Sequence, residues 1–127
     1  MYLLDTNIIL EILLDQKNAE KCANFINAHL NQVLFITDFS YFSISVKMFN
    51  LKRFKDLQKL HEDLIISRII TIIKLESIDW DRVIHISKEF NLDFDDSYQF
   101  AAATKFSLQI VSYDKDFDLT SLNRFKP

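Results

Sequence analysis

Residues 2–10 read Tyr-Leu-Leu-Asp-Thr-Asn-Ile-Ile-Leu, and the architecture of the whole chain follows from this stretch. Three apolar residues, Tyr2 to Leu4, stop at Asp5. Thr6 and Asn7 then cap a helix on which Ile8, Ile9, Ile12 and Leu13 recur at helical spacing. A short strand that runs into an acid and then a helix is the opening unit of an α/β domain. The pattern returns further along. Val33 to Ile36 is a β-type run, and Thr37 and Asp38 cap a helix through about Phe49. Leu108 to Ser112 is a last strand, followed by Tyr113 and Asp114.

Between these units the spacing predicts helices over residues 20–30 and 53–66. Ile69 to Leu75 is densely β-branched and reads as a strand buried on both faces. Asp79 caps a helix carrying Trp80, Val83, Ile84 and Ile86 to about Phe90, and Asp95 and Asp96 open another over Ser97–Phe106. Strands alternate with helices and no two strands share a hairpin turn. The expectation is one α/β domain over residues 1–127, with a parallel sheet of four to five short strands.

Composition narrows the chemistry. At an average usage of roughly 7%, about nine glycines are expected; the 127 residues hold none, and the single proline is Pro127. Glycine-rich phosphate loops are therefore excluded, because each needs tight turns and close backbone approach. Side chains or metal ions must handle any phosphate. Fifteen Lys and Arg against eighteen Asp and Glu leave a net charge of −3, too balanced for binding to nucleic acid by bulk charge. The lone cysteine, Cys22, forms no internal disulfide or cysteine cage, and the N-terminal apolar run is broken by Asp5, Glu11 and Asp15. A cytoplasmic protein with no membrane span is expected.

In an open parallel sheet, ligands bind beyond the carboxyl ends of the strands. The polar residues found there are Asp5 after the first strand, Thr37 and Asp38 after the second, and Asp114 after the last, with Asp96 at the start of the helix before it. Two carboxylates at ~4 Å repel by about 4 kcal/mol at an effective dielectric of 20. Three persist together only when some are protonated or a cation lies between them. Oxygen ligands without His or Cys favour Mg²⁺ or Mn²⁺, the ions of phosphodiester hydrolysis. Each aspartate taken singly also reads as an ordinary helix cap.

Three stretches together, YLLDTNIIL at residues 2–10, DDSYQFAAAT at 95–104 and IVSYDKDF at 110–117, resemble the motifs of PIN-domain ribonucleases, especially VapC-type toxins of toxin–antitoxin pairs. The resemblance spans nearly the whole chain. It implies a three-layer α/β/α sandwich, Mg²⁺ or Mn²⁺ binding and endonucleolytic cleavage of RNA. It also implies a homodimer held inactive by a cognate antitoxin protein. Asp5, Asp96 and Asp114 take three of the family's acidic positions as catalytic and metal-binding residues. Asp116 is a supporting acid, and Asn7 and Ser112 match polar residues that orient ligands. The family's second acid, a Glu about a turn and a half into the helix after the second strand, is missing: Phe42 and Ser43 stand there, and the nearest acid is Asp38. A catalytically impaired domain that binds RNA or a partner is thus the alternative reading.

Other features fit weaker readings. Lys47 to Lys55, with Lys52, Arg53 and Lys55 at its centre, suits RNA through phosphate contacts and base stacking, or forms a solvated helix face with Phe54 turned inward. His29, His61 and His85 share no ligand spacing, and Cys22 lies on an apolar face. A phosphatase or receiver-like site would want a second Asp two residues after Asp5, where Asn7 stands, or a Lys after a later strand.

Overall fold

The computed structural model describes all 127 residues. Strand β1 (Tyr2–Leu4) leads into helices α1 (Thr6–Leu13) and α2 (Ala19–Ala28). Strand β2 (Leu34–Thr37) leads into α3 (Asp38–Asn50) and α4 (Phe54–Leu60), which runs on through a π-helical turn, His61–Ile66. Strand β3 (Ile70–Ile73) precedes a 3-10 turn, Ser77–Asp79, then α5 (Trp80–Phe90) and α6 (Phe94–Lys105). Strand β4 (Gln109–Val111) and a 3-10 turn, Lys115–Leu119, complete the order. The strands lie in the order β3-β2-β1-β4, with every pairing parallel. The tail adds one parallel bridge, Val111 to Phe125, beside β4. No helix is long and apolar enough to cross a membrane.

The opening stretch explains the layering. Consecutive strand residues face opposite ways, and Leu3 and Leu4 are both fully buried. Leu3 joins Ile110, Phe117 and the inner faces of α5 and α6. Leu4 joins Val111, Leu34, Ile36 and Ile70 against residues from α1 to α4. Each cluster holds 13 buried residues, so helices cover both faces of the sheet and the molecule is a three-layer α/β/α sandwich. In α6 every residue from Asp96 to Ala103 is buried. The small side chains of Ala101, Ala102 and Ala103 let this helix lie close to the sheet, which brings Asp96 and Gln99 to the strand ends.

Several sequence expectations are corrected. The β-branched run forms a strand over Ile70–Ile73 only, and it is the sheet's edge, with Thr71 exposed. β-Branching here reflects a half-buried pleated surface and not burial on both faces. The helix expected over residues 53–66 is α4 plus the π turn. Phe54 turns outward, 51% exposed, and meets the exposed Phe49 edge-on at 5.1 Å between ring centroids. The cap of α6 is Asp93, whose Oδ1 accepts from the Asp96 N–H at 3.0 Å. Asp79 makes no side-chain cap for α5; its carboxylate accepts from the Glu76 N–H at 2.7 Å in a reciprocal box and from Lys105 Nζ at 2.6 Å. Trp80 packs from the surface, stacked on Phe94 at 5.5 Å between ring centroids.

The absence of glycine is visible in the backbone. Asp15, Lys52, Arg68, Asn91 and Ser107 all take positive φ, between 48° and 63°, each just after a helical segment. These are the left-handed positions where glycine ordinarily ends a helix. Arg53 N–H reaches back to the Met48 carbonyl at 2.9 Å, and Leu108 N–H to that of Ala103 at 2.8 Å, closing two such ends. A side chain in this conformation costs roughly 1–2 kcal/mol, partly offset by glycine's larger entropy in the unfolded chain. Ser107→Gly and Lys52→Gly will each raise unfolding free energy by up to about 1 kcal/mol in urea titrations. A loss of stability from both would contradict this account.

Candidate active site

Strand β1 lies between β2 and β4, so the chain winds outward to β3 and must reverse to reach β4. The reversal opens a crevice beyond the carboxyl ends of β1 and β4, the usual place for a ligand in such a sheet. Asp5 follows β1 directly, and Asp114 follows β4 after Ser112 and Tyr113. Residue 96 reaches the same edge from the first turn of α6.

Asp5 occupies the N-cap position of α1 but makes no side-chain capping bond. Its carboxylate is taken up elsewhere: Oδ2 accepts from Ser112 Oγ at 2.6 Å and Oδ1 from Gln99 Nε2 at 2.9 Å. Ser112 Oγ in turn accepts from the Asp114 N–H at 2.9 Å, linking the two strand ends. Asp114 Oδ1 accepts from the Asp116 N–H at 2.9 Å and so shapes the 3-10 turn after β4. Buried Phe117 fastens that turn to the core. Oxygens of Asp96, Asp114 and Asp116 all lie within 4.8 Å of one another, a grouping that can hold one metal ion. Asp5 stands beside this trio, behind Ser112.

The electrostatics record the crowding. Burial pushes the Asp5 carboxyl up to about 6, against the lowering effect of the Ser112 hydroxyl, and Asp114 and Asp95 add repulsion. Burial and then the charges of Asp114, Asp93, Asp5 and Asp95 push Asp96 up to about 8. Asp95 is also raised, by burial first and by Asp93 and Asp114 after it. No cationic side chain figures among these influences. Such a set either holds protons or takes a cation. The donors are carboxylate oxygens without His or Cys, which fits Mg²⁺ or Mn²⁺ and not zinc.

Other sequence candidates are placed differently. Asp38 lies in the first turn of α3, and its Oδ1 accepts from the Tyr98 hydroxyl at 2.7 Å and from the Phe39 N–H at 2.8 Å. It is committed to that pairing and stands outside the tight trio. Its charge, after burial, helps push Tyr98 up to about 12. Asn7 is exposed on α1. The basic segment lies beyond the far end of α3, a 13-residue helix and so roughly 18 Å long. There Arg53 is engaged by Asp56 at 2.8 Å and by the Leu13 carbonyl at 2.8 Å, while Lys52 and Lys55 are exposed. Glu11 accepts from the Asn18 N–H at 2.7 Å and so helps start α2.

Two residues of this crevice escape the motif reading. Ser40 Oγ lies 2.9 Å from Thr6 Oγ1, 3.1 Å from Thr37 Oγ1 and 2.9 Å from Gln99 Nε2. Gln99 itself is 2% exposed and bridges α6, α3 and Asp5. The available signal was its spacing: three residues after Asp96 puts it on the same helical face.

Comparison with known proteins agrees with this fold. No curated protein matches the sequence. Among solved structures, the chain is similar to VapBC2 from Rickettsia felis bound to a promoter DNA fragment, with 16% identity, TM-score 0.79 and coverage of 98% of this chain and 97% of that one. It is similar to the sarcin-ricin loop cleaving toxin VapC20 of Mycobacterium tuberculosis, at 12% identity and TM-score 0.77 over the full length of both chains. FitAcB from Neisseria gonorrhoeae matches at 21% identity and TM-score 0.76, covering 98% of this chain and 96% of that one. The PIN domain family model matches residues 2–121. The chain belongs to the PIN domain family.

Proposed function

We propose that this protein is a Mg²⁺- or Mn²⁺-dependent endoribonuclease that acts as the toxin of a toxin–antitoxin pair. The observation that carries this reading is the meeting of Asp96, Asp114 and Asp116 within 4.8 Å, beside Asp5, at the strand ends of a PIN domain. A divalent cation held there supplies a water of lowered pKa and neutralises charge growing on a phosphate. The chain's own residues do the rest. Ser112 and Gln99 fix the Asp5 carboxylate from two sides, and Asp114 shapes the turn that presents Asp116. Burial keeps Asp5 and Asp96 poorly solvated, which favours a bound cation over two bare charges. Lys52 and Lys55 would meet the RNA backbone away from the cut.

The structural relatives include a toxin–antitoxin complex from Klebsiella pneumoniae and a toxin named for cleaving the sarcin-ricin loop. These support a cognate antitoxin and an RNA substrate for this chain, and a homodimer in the cytoplasm is proposed with them from the motif resemblance alone. The second reading, a binding domain without cleavage, draws on Asp38, whose bond to Tyr98 leaves the second acidic position without a carboxylate.

One experiment separates the two. Purified protein incubated with structured and single-stranded RNA will cleave internally with millimolar Mn²⁺ and stop with chelator, and Asp114→Asn will not cleave. Cleavage that persists in chelator would sink the metal-dependent reading. RNA retained in a gel shift without any cleavage would favour the binding domain.

A further inference from the structure

Gln99 fixes Asp5 through its amide nitrogen, but the proposed reaction leaves its amide oxygen unexplained. The residue is 2% exposed. Both protons of its Nε2 are used, one towards Asp5 Oδ1 and one towards Ser40 Oγ, each at 2.9 Å. The opposite orientation of the amide would set its oxygen against the Asp5 carboxylate, acceptor against acceptor. In the orientation that bonds Asp5, Oε1 is buried and has no partner. Burying an unpaired amide oxygen is costly. A leucine would fill nearly the same volume without that cost, and the next four buried residues of α6, Phe100 to Ala103, are apolar. The amide is therefore not explained by packing.

Its connections are informative. Through Ser40 it reaches Thr6 and Thr37, and so ties α6 to the starts of α1 and α3. Helix α3 is the element on which the second acid is absent. A fourth carboxylate in this crevice would add repulsion to a set that is already crowded. A neutral amide aims Asp5 without adding charge, and it keeps a neutral oxygen on the same rigid plane.

Resting on the reading of the crevice as a divalent-cation site, we propose that Gln99 is a positioning residue that takes over the place of the absent second acid: its Nε2 aims Asp5 and couples it to Ser40, and its free Oε1 serves a bound cation as a neutral oxygen ligand, directly or through water.

The test is Mn²⁺ binding by the full chain, followed through the electron-paramagnetic signal of free Mn²⁺, with melting of the metal-free protein alongside. Gln99→Leu will weaken Mn²⁺ binding about 10–100-fold, the scale on which residues that orient metal ligands act. It will lower the metal-free melting temperature by no more than a few degrees, because loss of the two Nε2 bonds is partly offset by removal of the unpaired buried oxygen. Gln99→Glu, which keeps an oxygen but loses the Nε2 donor, will bind Mn²⁺ more tightly than Gln99→Leu at pH 8. Gln99→Leu binding Mn²⁺ within threefold of the unsubstituted protein would overturn the inference while leaving the cation site intact. Gln99→Leu melting well below the unsubstituted protein, with Gln99→Glu failing to restore binding, would reduce Gln99 to a packing residue. Absence of Mn²⁺ binding by the unsubstituted protein at millimolar concentration would overturn both this inference and the reading beneath it.

Discussion

Asp96→Asn will lower RNA cleavage by roughly 10²–10³-fold and at the same time raise the melting temperature of the metal-free protein. The scale of the first effect is that of removing one group that stabilises developing charge in a dry site. The second follows from the surroundings of Asp96. It is 7% exposed, its carboxyl is pushed up to about 8 by burial and by four neighbouring acids, and it has no cationic partner. Asparagine keeps the shape and removes the charge, so the repulsion disappears with the function. Opposite signs for activity and stability separate a site residue from a capping residue. The cap of α6 is Asp93, and Asp93→Asn should change neither property much, since both side chains accept the Asp96 N–H. Cleavage assays and thermal melts on the same protein preparations read both quantities. A cleavage rate unchanged by Asp96→Asn would remove this residue from the chemistry, and a lower metal-free melting temperature would show that its charge is compensated.

Much of this architecture could be read from the chain because a three-layer sandwich leaves strong traces. Tyr2 to Leu4, a short apolar run that stops at Asp5, reads as a strand, and the structure buries Leu3 and Leu4 in separate apolar layers. Thr37 caps α3 through the Ser40 N–H at 3.0 Å, as its place after an apolar run suggested. Asn91 takes the left-handed conformation expected of an Asn that replaces a missing glycine. Asn31 and Gln32, in the turn before β2, keep negative φ, and the other left-handed places fall to Asp15, Lys52, Arg68 and Ser107. Helix ends are set there by tertiary packing and not by the residue's own preference.

The site was legible where an acid follows a strand, and illegible where contacts cross the fold. Asp5 and Asp114 announce themselves by position. The closeness of Asp116 depends on a 3-10 turn that is held by Phe117 and by Asp114 itself, and nothing in the local pattern distinguishes such a turn from a loose tail. Gln99 is more instructive. In sequence it interrupts an apolar helix face and resembles a boundary residue. Its meaning appears only when residue 5, 94 positions away, and residue 40, 59 positions away, arrive at the same amide. The outward turn of Phe54 has the same origin, because α4 packs through Leu57 and Leu60 and leaves Phe54 to pair with Phe49.

The metal-free protein will lose stability as pH rises from 5 to 8.5, and millimolar Mn²⁺ will reverse the trend. Unfolded aspartates titrate near 3.9. In the folded chain Asp5 is raised to about 6 and Asp96 to about 8, both chiefly by burial. Between those limits the native state holds more protons than the unfolded state, so unfolding free energy falls as pH increases. The stabilising protons are fully present below about pH 4 and are lost through pH 6 and then pH 8. Asp5 alone carries about 3 kcal/mol over the whole range, at about 1.4 kcal/mol for each pH unit that its midpoint has moved. In a domain of this size 1 kcal/mol shifts the midpoint by about 4 °C, so Asp5, which loses its proton between pH 5 and about 6 in this interval, lowers the midpoint by roughly 5 °C, and Asp96 lowers it further up to about pH 8. A cation competes with those same protons, and its affinity therefore grows as they leave. Melting with Mn²⁺ should accordingly rise with pH over the interval where melting without it falls, and the two curves should diverge most above pH 8. Differential scanning calorimetry in matched buffers, with chelator in one arm, measures both. Asp5→Asn should flatten the lower part of the metal-free curve and Asp96→Asn the upper part. Parallel curves with and without Mn²⁺ would mean that the buried carboxylates keep their protons at neutral pH for a reason other than waiting for a cation.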